Sequence, residues 1–365
     1  MQERFLQFIA EKKLCTRSNK ILLAVSGGMD SMVMLELFHR TNFSVAVAHV
    51  NFQLRDNDSE LDESLVEETC KKHSIPFFTK RFDTSAYAQK HSLSIQMAAR
   101  ALRYEWFNEL VDQNKFDFIA TAHHLNDSIE TALLNFTRGS GLEGWDGIAA
   151  KNEKIVRPLL FATRSEIEAY ANENKINWRE DRSNSSDDYQ RNFIRHHVVP
   201  RLKEINLSLE NSFADALEKI SASNELSWLG IESFRNEFES KKADQILFSK
   251  KAFAEFRHPE GLLWNLIKGY GFNLDQCKQI ILALPGQSGK KFLSKEFEVI
   301  IDREQLIISK TKAGVDQVLI DKDQQRVERG GQVLEMSVVN SFELLNDNSV
   351  AFLDLSKLKF PLVWR

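Results

Sequence analysis

The sequence predicts an α/β fold, with an N-terminal doubly wound parallel sheet followed by a mainly helical domain and a β-rich C-terminal segment. Strand-like and helix-like segments alternate over roughly the first 200 residues, which is typical of a parallel sheet covered on both faces. After Pro200 helical spacing dominates, and beyond Gly314 short β-like runs are separated by turns. At 365 residues the chain is too long for a single core, so several domains are expected.

The first part contains five predicted strands, at residues 21–25, 43–50, 76–82, 116–121 and 155–160. Predicted helices cover 32–40, a segment through Lys72, a segment ending near Asp112, and 127–138 with Gly139 as C-cap. The pairs Ser59 with Asp62 and Thr163 with Glu166 resemble capping boxes. Farther along, residues 204–284 are predicted to be helical without clear strands, and 297–301 with 305–308 to form a hairpin. A ligand should lie beyond the carboxyl ends of the parallel strands.

These patterns divide the chain into three predicted domains: 1–203, 204–312 ending in the hairpin, and 313–365. The last is the β-rich start of a further domain, and its apolar end, Phe-Pro-Leu-Val-Trp-Arg, is compatible with a domain cut short. The composition, with 42% hydrophobic and 27% charged residues, is ordinary for a soluble protein. We expect neither a signal peptide nor a membrane span, because charges interrupt every long apolar stretch.

Cysteine usage and net charge limit the classes of protein further. The three cysteines, Cys15, Cys70 and Cys277, fit reduced thiols in a cytoplasmic protein. The chain has no Cys-x-x-Cys, so a zinc ribbon or a cysteine-held iron–sulfur cluster is not expected. A formal charge of −4 does not by itself indicate a nucleic-acid-binding protein, although the distribution of charge matters more than its sum.

The segment Ser-Gly-Gly-Met-Asp-Ser, residues 26–31, joins a predicted buried strand to a helix. Such a loop directs backbone N–H groups and the positive end of the helix at an anion, and its glycines let phosphate oxygens approach closely. Its two serines can donate to the same oxygens. Asp30 would repel phosphate by itself, so its expected role is to hold Mg²⁺. The loop is therefore predicted to bind the pyrophosphate of ATP; the alternative is a serine-capped turn with incidental glycines.

Two pairs of polar residues lie on neighbouring elements. His49 and Asn51 are two apart, so in a strand they share a face and could reach the nucleotide, unless they simply emerge into solvent. Arg100 and Arg103 are three apart and neighbours on a helix surface. Guanidinium groups suit phosphate and leaving-group oxygens, although a solvated helix face would look the same.

The segment 121–131 concentrates chemically active side chains. His123 and His124 lie where a strand ends, and Asp127, Glu130 and Thr131 follow on one face of the next helix. Acids in a first helical turn are favoured by the helix dipole, which explains one acid but not the histidine pair. A zinc site lacks a third soft ligand nearby. We interpret the segment as a pocket in which paired carboxylates bind an amine, with a histidine near the reacting oxygen.

Taken in order, these segments resemble the tRNA(Ile)-lysidine synthetase family, which belongs to the PP-loop ATP pyrophosphatases with an adenine nucleotide alpha hydrolase-like fold. The matching motifs are Ser-Gly-Gly-Met-Asp-Ser, His-Val-Asn-x-x-Leu-Arg, Ala-Arg-x-x-Arg-Tyr, His-His-x-x-Asp-x-x-Glu-Thr, Arg-Gly-Ser-Gly-Leu, Arg-Pro-Leu-Leu, Glu-Asp-x-Ser-Asn and Arg-Asn-x-x-Arg-x-x-Val-x-Pro. They cover roughly the first 200 residues, and the remainder fits the family's layout loosely. Phe52 stands where the family often has histidine, and Asn126 and Ser128 replace the usual Asp and Gln.

The resemblance implies a ligase whose substrates are ATP, L-lysine and the isoleucine tRNA with a CAU anticodon, with Mg²⁺ as cofactor. ATP would activate the C2 oxygen of the wobble cytidine with release of pyrophosphate, and the lysine side-chain amine would then displace AMP to give lysidine. Residues 1–203 would be the PP-loop catalytic domain, and 204–312 a tRNA-binding or linker domain.

The same resemblance implies roles for individual residues. The ATP-binding set is Ser26, Gly27, Gly28, Met29, Asp30, Ser31, His49 and Asn51, with Asp30 as the Mg²⁺ ligand. The lysine-binding set is Arg103, Asp127 and Glu130. The catalytic set is Asp30, Arg103, His123, Asp127 and Glu130, in which His123 would assist adenylation.

Basic residues are expected to contact the phosphates of the tRNA. The expected contacts are Arg191, Arg195, Arg201 and Lys203 at the end of the first domain, and Lys290 with Lys291 in a glycine-containing loop. An equally weighted alternative is that the first group caps a domain junction and pairs with Asp181 and with Asp187 and Asp188.

Three other functions are considered beside the ligase. A PP-loop tRNA thiolase would need a sulfur-carrying cysteine near the site, and an amide-forming synthetase would usually bring a glutamine-hydrolysing part. A non-catalytic ATP sensor would not require the Arg-x-x-Arg and His-His-x-x-Asp-x-x-Glu sets. A homodimer is compatible with the sequence, which does not determine the oligomeric state.

Overall fold

The computed structural model describes residues 1–54, 56–180, 190–311, 318–321, 324–329, 332–339, 349–358 and 362–364. They divide into two compact units, Met1–Leu226 and Ser227–Arg365, each of which is described by itself. No helix in these ranges is both long enough and apolar enough to cross a bilayer.

The first unit alternates strands and helices. Its strands are β1 (Lys20–Ala24), β2 (Ser44–Asn51), β3 (Phe77–Arg81), β4 (Phe118–Ala120), β5 (Lys151–Asn152) and β6 (Ile155–Val156). Its helices are α1 (Gln2–Glu11), α2 (Met29–Arg40), α3 (Asp56–His73), α4 (Thr84–His91), α5 (Ile95–Asn114), α6 (Leu125–Thr137), α7 (Leu142–Trp145), α8 (Arg164–Glu173), α9 (Gln190–Phe193) and α10 (Val199–Ile205). A π-helical turn, Ile194–Val198, joins α9 to α10, and α11 (Leu209–Phe238) continues past the division between the units.

The strands form one sheet in the order β3-β2-β1-β4-β6-β5, parallel except for β5. From β1 the chain builds outward to β2 and β3 and then returns to place β4 on the other side. The carboxyl ends of β1 and β4 therefore flank the point where the strand order reverses, which is where parallel sheets of this kind bind ligands. The loop 26–31 follows β1, and the histidine pair 123–124 follows β4.

Both faces of the sheet are covered, as predicted for a doubly wound fold. Ile21 and Leu23 of β1 enter one core with residues of α1, α2, α3 and α8, whereas Leu22 enters a second core with residues of α5. Ile21, Leu22 and Leu23 thus face alternate sides of the sheet and are all buried, which explains the apolar run in the sequence.

Several predicted boundaries move. Helix α2 begins at Met29, immediately after the loop glycines, rather than at residue 32. The Ser59–Asp62 capping box is wrong, because α3 begins at Asp56 and Ser59 lies inside it. The Thr163–Glu166 box is confirmed by hydrogen bonds in both directions. Gly139 follows the C-terminus of α6 with a φ of +73°, as expected for a residue in that position.

The second unit is built on an antiparallel sheet. Its strands are β7 (Glu239–Lys242), β8 (Gln245–Ser249), β9 (Lys291–Leu293), β10 (Phe297–Ile301) and β11 (Gln305–Lys310), in the order β7-β8-β11-β10-β9. Helices α12 (Pro259–Ile267) and α13 (Leu274–Ala283) share the core of this sheet. The predicted hairpin is confirmed as β10 and β11. The expectation that residues 204–284 contain no strands is wrong, because β7 and β8 form a hairpin there. Its turn residue Ala243 takes a φ of +51°, and no glycine marks the turn in the sequence.

The described part of the C-terminal segment contains four short strands, β12 (Val318–Ile320), β13 (Arg326–Arg329), β14 (Gln332–Glu335) and β15 (Leu362–Trp364). They pair antiparallel as β12 with β15 and β13 with β14. A β-rich C-terminal segment is therefore present as predicted.

Candidate active site

Hydrogen bonds within the loop between β1 and α2, and one from Arg179, fix the conformation of the loop. Gly27 has a φ of +92°, and the carbonyl of Gly27 accepts a hydrogen bond from the backbone N–H of Arg179 at 3.0 Å. The hydroxyl of Ser31 donates to the carbonyl of Gly28 at 2.9 Å and accepts from the backbone N–H of Ser26 at 3.1 Å. The buried Ser31 therefore shapes the loop, while the exposed Ser26 presents its hydroxyl at the surface.

A cavity of about 770 Å³ opens beside this loop. Its size is suited to a nucleotide-sized ligand. It is lined by Ser26, Gly28, Met29, Asp30 and Ser31 from the loop and the start of α2, and by Arg103 and His123 from the other predicted sites. The structure thus brings together seven of the residues that the sequence analysis assigned to ATP binding or catalysis.

The wall of the cavity combines four arginines and four carboxylates with aromatic side chains. Arg103 lies over the ring of Phe52 with 5.2 Å to the centroid, and Arg100 over Tyr104 with 4.9 Å. Within the described ranges, Arg100, Arg103 and Arg164 have no carboxylate partner. Burial lowers the pKa of Arg103. The neighbouring charge of Arg100 lowers this pKa further, and Tyr104 offsets the two effects only in part. Guanidinium groups without counter-charges are suited to binding phosphate oxygens.

Asp30 connects this cavity to the histidine pair. One carboxylate oxygen of Asp30, Oδ2, lies 3.8 Å from Nε2 of the buried His124. On the other side of the same ring, Nδ1 lies 3.7 Å from Oδ2 of Asp127. The backbone N–H of His124 also donates to that oxygen of Asp127 at 2.9 Å. His124 thus lies between the carboxylate of the loop and the first carboxylate of α6.

Burial, Coulombic effects and hydrogen bonding act differently on the two carboxylates. Burial raises the pKa of Asp30, and the nearby His124, Arg164 and Arg195 offset this only in part. For Asp127, burial acts in the same direction, but His124, Arg191 and His123, together with the backbone hydrogen bond, outweigh it and lower the pKa. Asp127 is therefore anionic at neutral pH.

The Oδ1 atom of Asp30 is buried and has no hydrogen-bond partner among the described residues. An unsatisfied carboxylate oxygen next to a phosphate-binding loop fits a hard divalent cation that takes its other ligands from phosphate and water. The described residues contain no cluster of three or more His, Cys, Asp or Glu side chains arranged to hold a metal ion. The donor set at Asp30 therefore fits Mg²⁺ shared with a nucleotide.

Glu130 is almost completely buried, with 2% of its side chain exposed, and two arginines contact it. Arg195 binds both carboxylate oxygens, with Nε 2.6 Å from Oε1 and Nη2 2.9 Å from Oε2, and Nε of Arg191 lies 3.0 Å from Oε2. Neither Asp127 nor Glu130 lines the cavity. Arg191 and Arg195 were expected to face tRNA phosphates, but here they lie against the predicted amine-binding carboxylates.

His123 lies in the cavity wall, where Nδ1 is 3.0 Å from the hydroxyl of Thr121. Burial lowers the pKa of His123 to about 4, with Arg157 and Arg191 acting in the same direction against the opposing effect of Asp127. The imidazole is therefore neutral near pH 7, so it cannot act as a general acid, and one of its two ring nitrogens can accept a hydrogen bond.

His49 and Asn51 lie beneath the cavity rather than in its lining. The ring of His49 contacts the carbonyl of Val25 at 2.9 Å, and the amide of Asn51 donates to the carboxylate of Glu63 at 2.8 Å. Both are buried, so the shared face of β2 points into the protein rather than at the cavity. Their described contacts are structural.

The other predicted basic contacts lie on the surface or in ion pairs. Arg201 pairs with Glu204, and Lys203 with Glu210. In the second unit Lys290 and Lys291 are exposed, and Lys291 pairs with Glu298 at 3.3 Å. Asp181, Asp187 and Asp188, the partners in the alternative interpretation, lie outside the described residues.

The sequence analysis missed part of the cavity wall. Arg164, Glu168, Trp178, Arg179, Glu180 and His196 also line it. Arg164 could have been found, because it is the first residue of a capped helix at the carboxyl end of β6. Arg179 gave no local signal: Nε and Nη2 bind Asp62 and Asp58 at 2.7 and 2.8 Å across more than a hundred residues of sequence.

Comparisons with known proteins agree with this fold. Residues 1–202 match the family model of a PP-loop domain, and residues 241–311 match that of a TilS substrate binding domain. A U34-tRNA thiolase, NcsA from Methanococcus maripaludis with its [4Fe-4S] cluster, has a similar fold, with a TM-score of 0.50 and 16% identity over 60% of this chain and 77% of that one.

Three relatives in sequence carry the same name. A tRNA(Ile)-lysidine synthase of Porphyromonas gingivalis is 38% identical over 82% of this chain, and the match spans 66% of that protein, just under two thirds. A protein of the same name from Parabacteroides distasonis is 36% identical over 98% of this chain and 82% of its own length. One from Chlorobaculum tepidum is 42% identical over 56% of this chain and 62% of its own. The chain belongs to the tRNA(Ile)-lysidine synthase family of PP-loop proteins.

Proposed function

We propose that this protein ligates lysine to the wobble cytidine of the isoleucine tRNA with a CAU anticodon, using ATP and releasing AMP and pyrophosphate. One observation carries the proposal: a phosphate-binding loop and a pair of carboxylates lie at the same edge of the sheet, connected through His124. A reaction that first activates an oxygen with ATP and then admits an amine needs these two sites side by side.

In the first step, the C2 oxygen of the cytidine attacks the α-phosphate of ATP and pyrophosphate leaves. The backbone N–H groups of the loop and the N-terminus of α2 would stabilise the charge on the departing pyrophosphate. The guanidinium groups of Arg100, Arg103 and Arg164 lack described carboxylate partners and are placed to neutralise phosphate oxygens. The aromatic side chains Phe52, Tyr104 and Trp178 offer surfaces for base stacking.

Asp30 would hold Mg²⁺ in this step, with its unsatisfied oxygen as the ligand. When bound there, the ion would neutralise phosphate charge and strengthen pyrophosphate as a leaving group. His123, neutral near pH 7, would accept a hydrogen bond in the cavity rather than donate a proton as an acid. Every residue named for this step lies in Met1–Leu226.

In the second step the lysine amine would attack C2 and displace AMP. Asp127 is anionic, partly exposed and next to His124, so it is suited to accept a hydrogen bond from the amine. The tRNA would be held by exposed basic residues outside the cavity, including Arg201, Lys203, Lys290 and Lys291. We propose that the chain is divided into three domains, at residues 1–203, 204–312 and 313–365.

The cysteines argue against a thiolase. Burial raises the pKa of Cys15 to about 11, and of Cys70 and Cys277 to about 12. All three pack in apolar cores, two in the first unit and one in the second. A sulfur carrier needs a reactive thiolate near the substrate, and buried thiols with raised pKa values are inert.

Incubation with ATP, Mg²⁺, lysine and a transcript of this tRNA, followed by mass spectrometry of the anticodon nucleosides, tests the proposal. We expect lysidine at the wobble position, and AMP only when both tRNA and lysine are present. AMP without a lysine adduct would remove lysine as the nucleophile, and ATP binding without AMP would favour the sensor. The exposed Asp112→Asn variant serves as a control that should behave as the wild type.

A further inference from the structure

Two arginines far along the chain complete the carboxylate pair of α6. Arg195 and Arg191 together donate hydrogen bonds to both carboxylate oxygens of Glu130, at 2.6, 2.9 and 3.0 Å. Only 2% of the glutamate side chain is exposed. Nη2 of Arg191 also donates to the backbone carbonyl of Asp127 at 2.9 Å. The pairing thus reaches the backbone as well as the side chains of α6.

The arrangement is built into the fold. The segment that carries both arginines is anchored by Ile194 and Val199, which are buried against Ile129 of α6. Its helix is interrupted by the π-helical turn Ile194–Val198, a feature that is common at functional sites. The next residue of the segment, His196, lines the nucleotide cavity. An accidental surface pairing would not need this apolar anchor.

The two carboxylates differ in what remains free. Glu130 accepts three short charged hydrogen bonds. The Asp127 side chain is 14% exposed and is held less tightly: Oδ2 accepts the backbone N–H of His124 at 2.9 Å, and Oδ1 accepts a longer hydrogen bond from Arg195 at 3.4 Å, with Nη2 of Arg191 at 3.3 Å. Asp127 is therefore the more exposed and the less tightly held of the two carboxylates, and the one that an incoming amine would meet. The expectation that both carboxylates bind lysine divides into two separate roles.

We propose that Arg191 and Arg195 are positioning residues of the amine site, which occupy Glu130, leave Asp127 to meet the lysine amine, and offset the charge of both carboxylates. The inference rests on the proposed function and deepens it. Lysine attacks only as a neutral amine, yet its ammonium has a pKa of about 10.4 in water. Two uncompensated carboxylates would hold the proton on the amine, whereas two adjacent guanidinium groups restore a nearly neutral site and favour its loss.

The step balances as follows. The ammonium first loses one proton to solvent, and the lone pair of the neutral amine then forms the bond to C2 while the bond from C2 to the AMP oxygen breaks. AMP leaves with that electron pair. The surplus proton on the new nitrogen passes to solvent by way of the Asp127 carboxylate. Asp30, His123, His124, Glu130, Arg157 and Arg164 are the other titratable or charged groups that face this region.

The test is the pH dependence of the lysine-dependent step, measured by rapid quench with saturating tRNA and ATP and varied lysine. For Arg191→Gln we expect the rising limb of the profile to move up by about one pH unit. The rate at pH 7 should fall about tenfold and recover at high pH, without a rise in the KM for lysine. Arg191→Lys, which keeps the charge, should restore the wild-type profile, and Arg17→Gln controls for a lost surface charge.

Two results would overturn the inference. One is a loss of rate in Arg191→Gln that is equal at every pH, which indicates a structural role; the other is a rise in the KM for lysine with an unmoved profile. A wild type that makes no lysidine would instead remove the proposed function. As an independent measurement, the ¹³Cε shift of enzyme-bound [ε-¹³C]lysine should titrate below the value of free lysine in the wild type, and nearer to it in Arg191→Gln. Equal titration in both proteins contradicts the inference.

Discussion

Asp30 has an ionisable side chain in a place where burial disfavours the charged form. Burial raises the pKa of this carboxyl, and the compensation comes from cations nearby rather than from hydrogen bonds to Oδ1. A buried carboxylate with an unsatisfied oxygen destabilises the fold, so such a group is expected where it binds a ligand or takes part in a reaction. The carboxylate is better explained by a cation that arrives with the nucleotide than by the stability of the fold.

Asp30→Asn should therefore separate activity from stability. We expect AMP formation to fall by about 100-fold or more, because the amide cannot neutralise Mg²⁺. The free energy of unfolding should stay the same or rise, because a neutral side chain replaces a buried charge. Urea denaturation and AMP release, measured beside Asp112→Asn, check both parts. An active variant would remove the metal role of Asp30.

His123 should make stability depend on pH. Its pKa in the folded protein is lowered from 6.5 to about 4, so the unfolded chain binds a proton that the folded chain refuses. The contribution of His123 to the free energy of unfolding is therefore fully present above pH 6.5 and is lost as the pH falls from 6.5 toward 4. Replacing His123 by Asn should reduce this loss, which denaturation at pH 7 and pH 5 measures. An unchanged slope in the variant would contradict a buried neutral imidazole.

At the scale of the element, the loop 26–31 shows why its sequence is so restricted. Gly27 adopts a positive φ, and a Cβ atom there would lie 3.3 Å from Cβ of Asp62. Asp62 in turn binds Arg179, whose backbone N–H holds the carbonyl of Gly27. The loop, α3 and the segment at Arg179 therefore support one another.

Gly27→Ala should destabilise the protein by about 1–2 kcal/mol through the left-handed backbone, with some further cost from Asp62. Gly230→Ala is the matched control, because Gly230 lies within helix α11 with nothing within 4 Å of an added Cβ. That change should stabilise by about 0.5–1 kcal/mol. Thermal unfolding of both variants is the measurement, and similar effects of the two changes would contradict the strained geometry.

Elements with strong local signals could be predicted from the sequence. The run 21–25, the glycine loop and the Thr163–Glu166 box follow from short-range patterns, and with them the edge of the sheet where the site lies. Contacts between distant residues could not be predicted: Arg195 lies 65 positions from Glu130, and Arg179 lies 117 from Asp62. Likewise, no glycine marks the turn of the β7–β8 hairpin. The sequence also could not show that His49 points into the protein, because that depends on which helix covers β2.

At the scale of the whole molecule, we expect catalysis and recognition to draw on different parts of the chain. The residues proposed for chemistry lie in Met1–Leu226, whereas Lys290 and Lys291 lie in the region that matches a substrate binding domain. The overall charge is −4, so binding of RNA requires basic residues that are separated from the acidic ones.

Replacing Lys290 and Lys291 together by Ala should weaken tRNA binding and reduce its salt dependence, with a slope of log K against log salt smaller by about 1–2. The ATP affinity should not change. Filter binding between low and moderate salt is the measurement, and Lys278→Ala, an exposed lysine of α13, is the control. An unaltered slope would show that these lysines face away from the RNA.

The central claim is that one oxygen of the wobble cytidine is activated by ATP and then replaced by the amine of lysine. It is tested most directly with a tRNA assembled by ligation that carries ¹⁸O at the C2 position of that cytidine. We predict that the released AMP carries the label and that the cytidine gains lysine in its place. Unlabelled AMP, or a modified cytidine that retains ¹⁸O, would contradict the account.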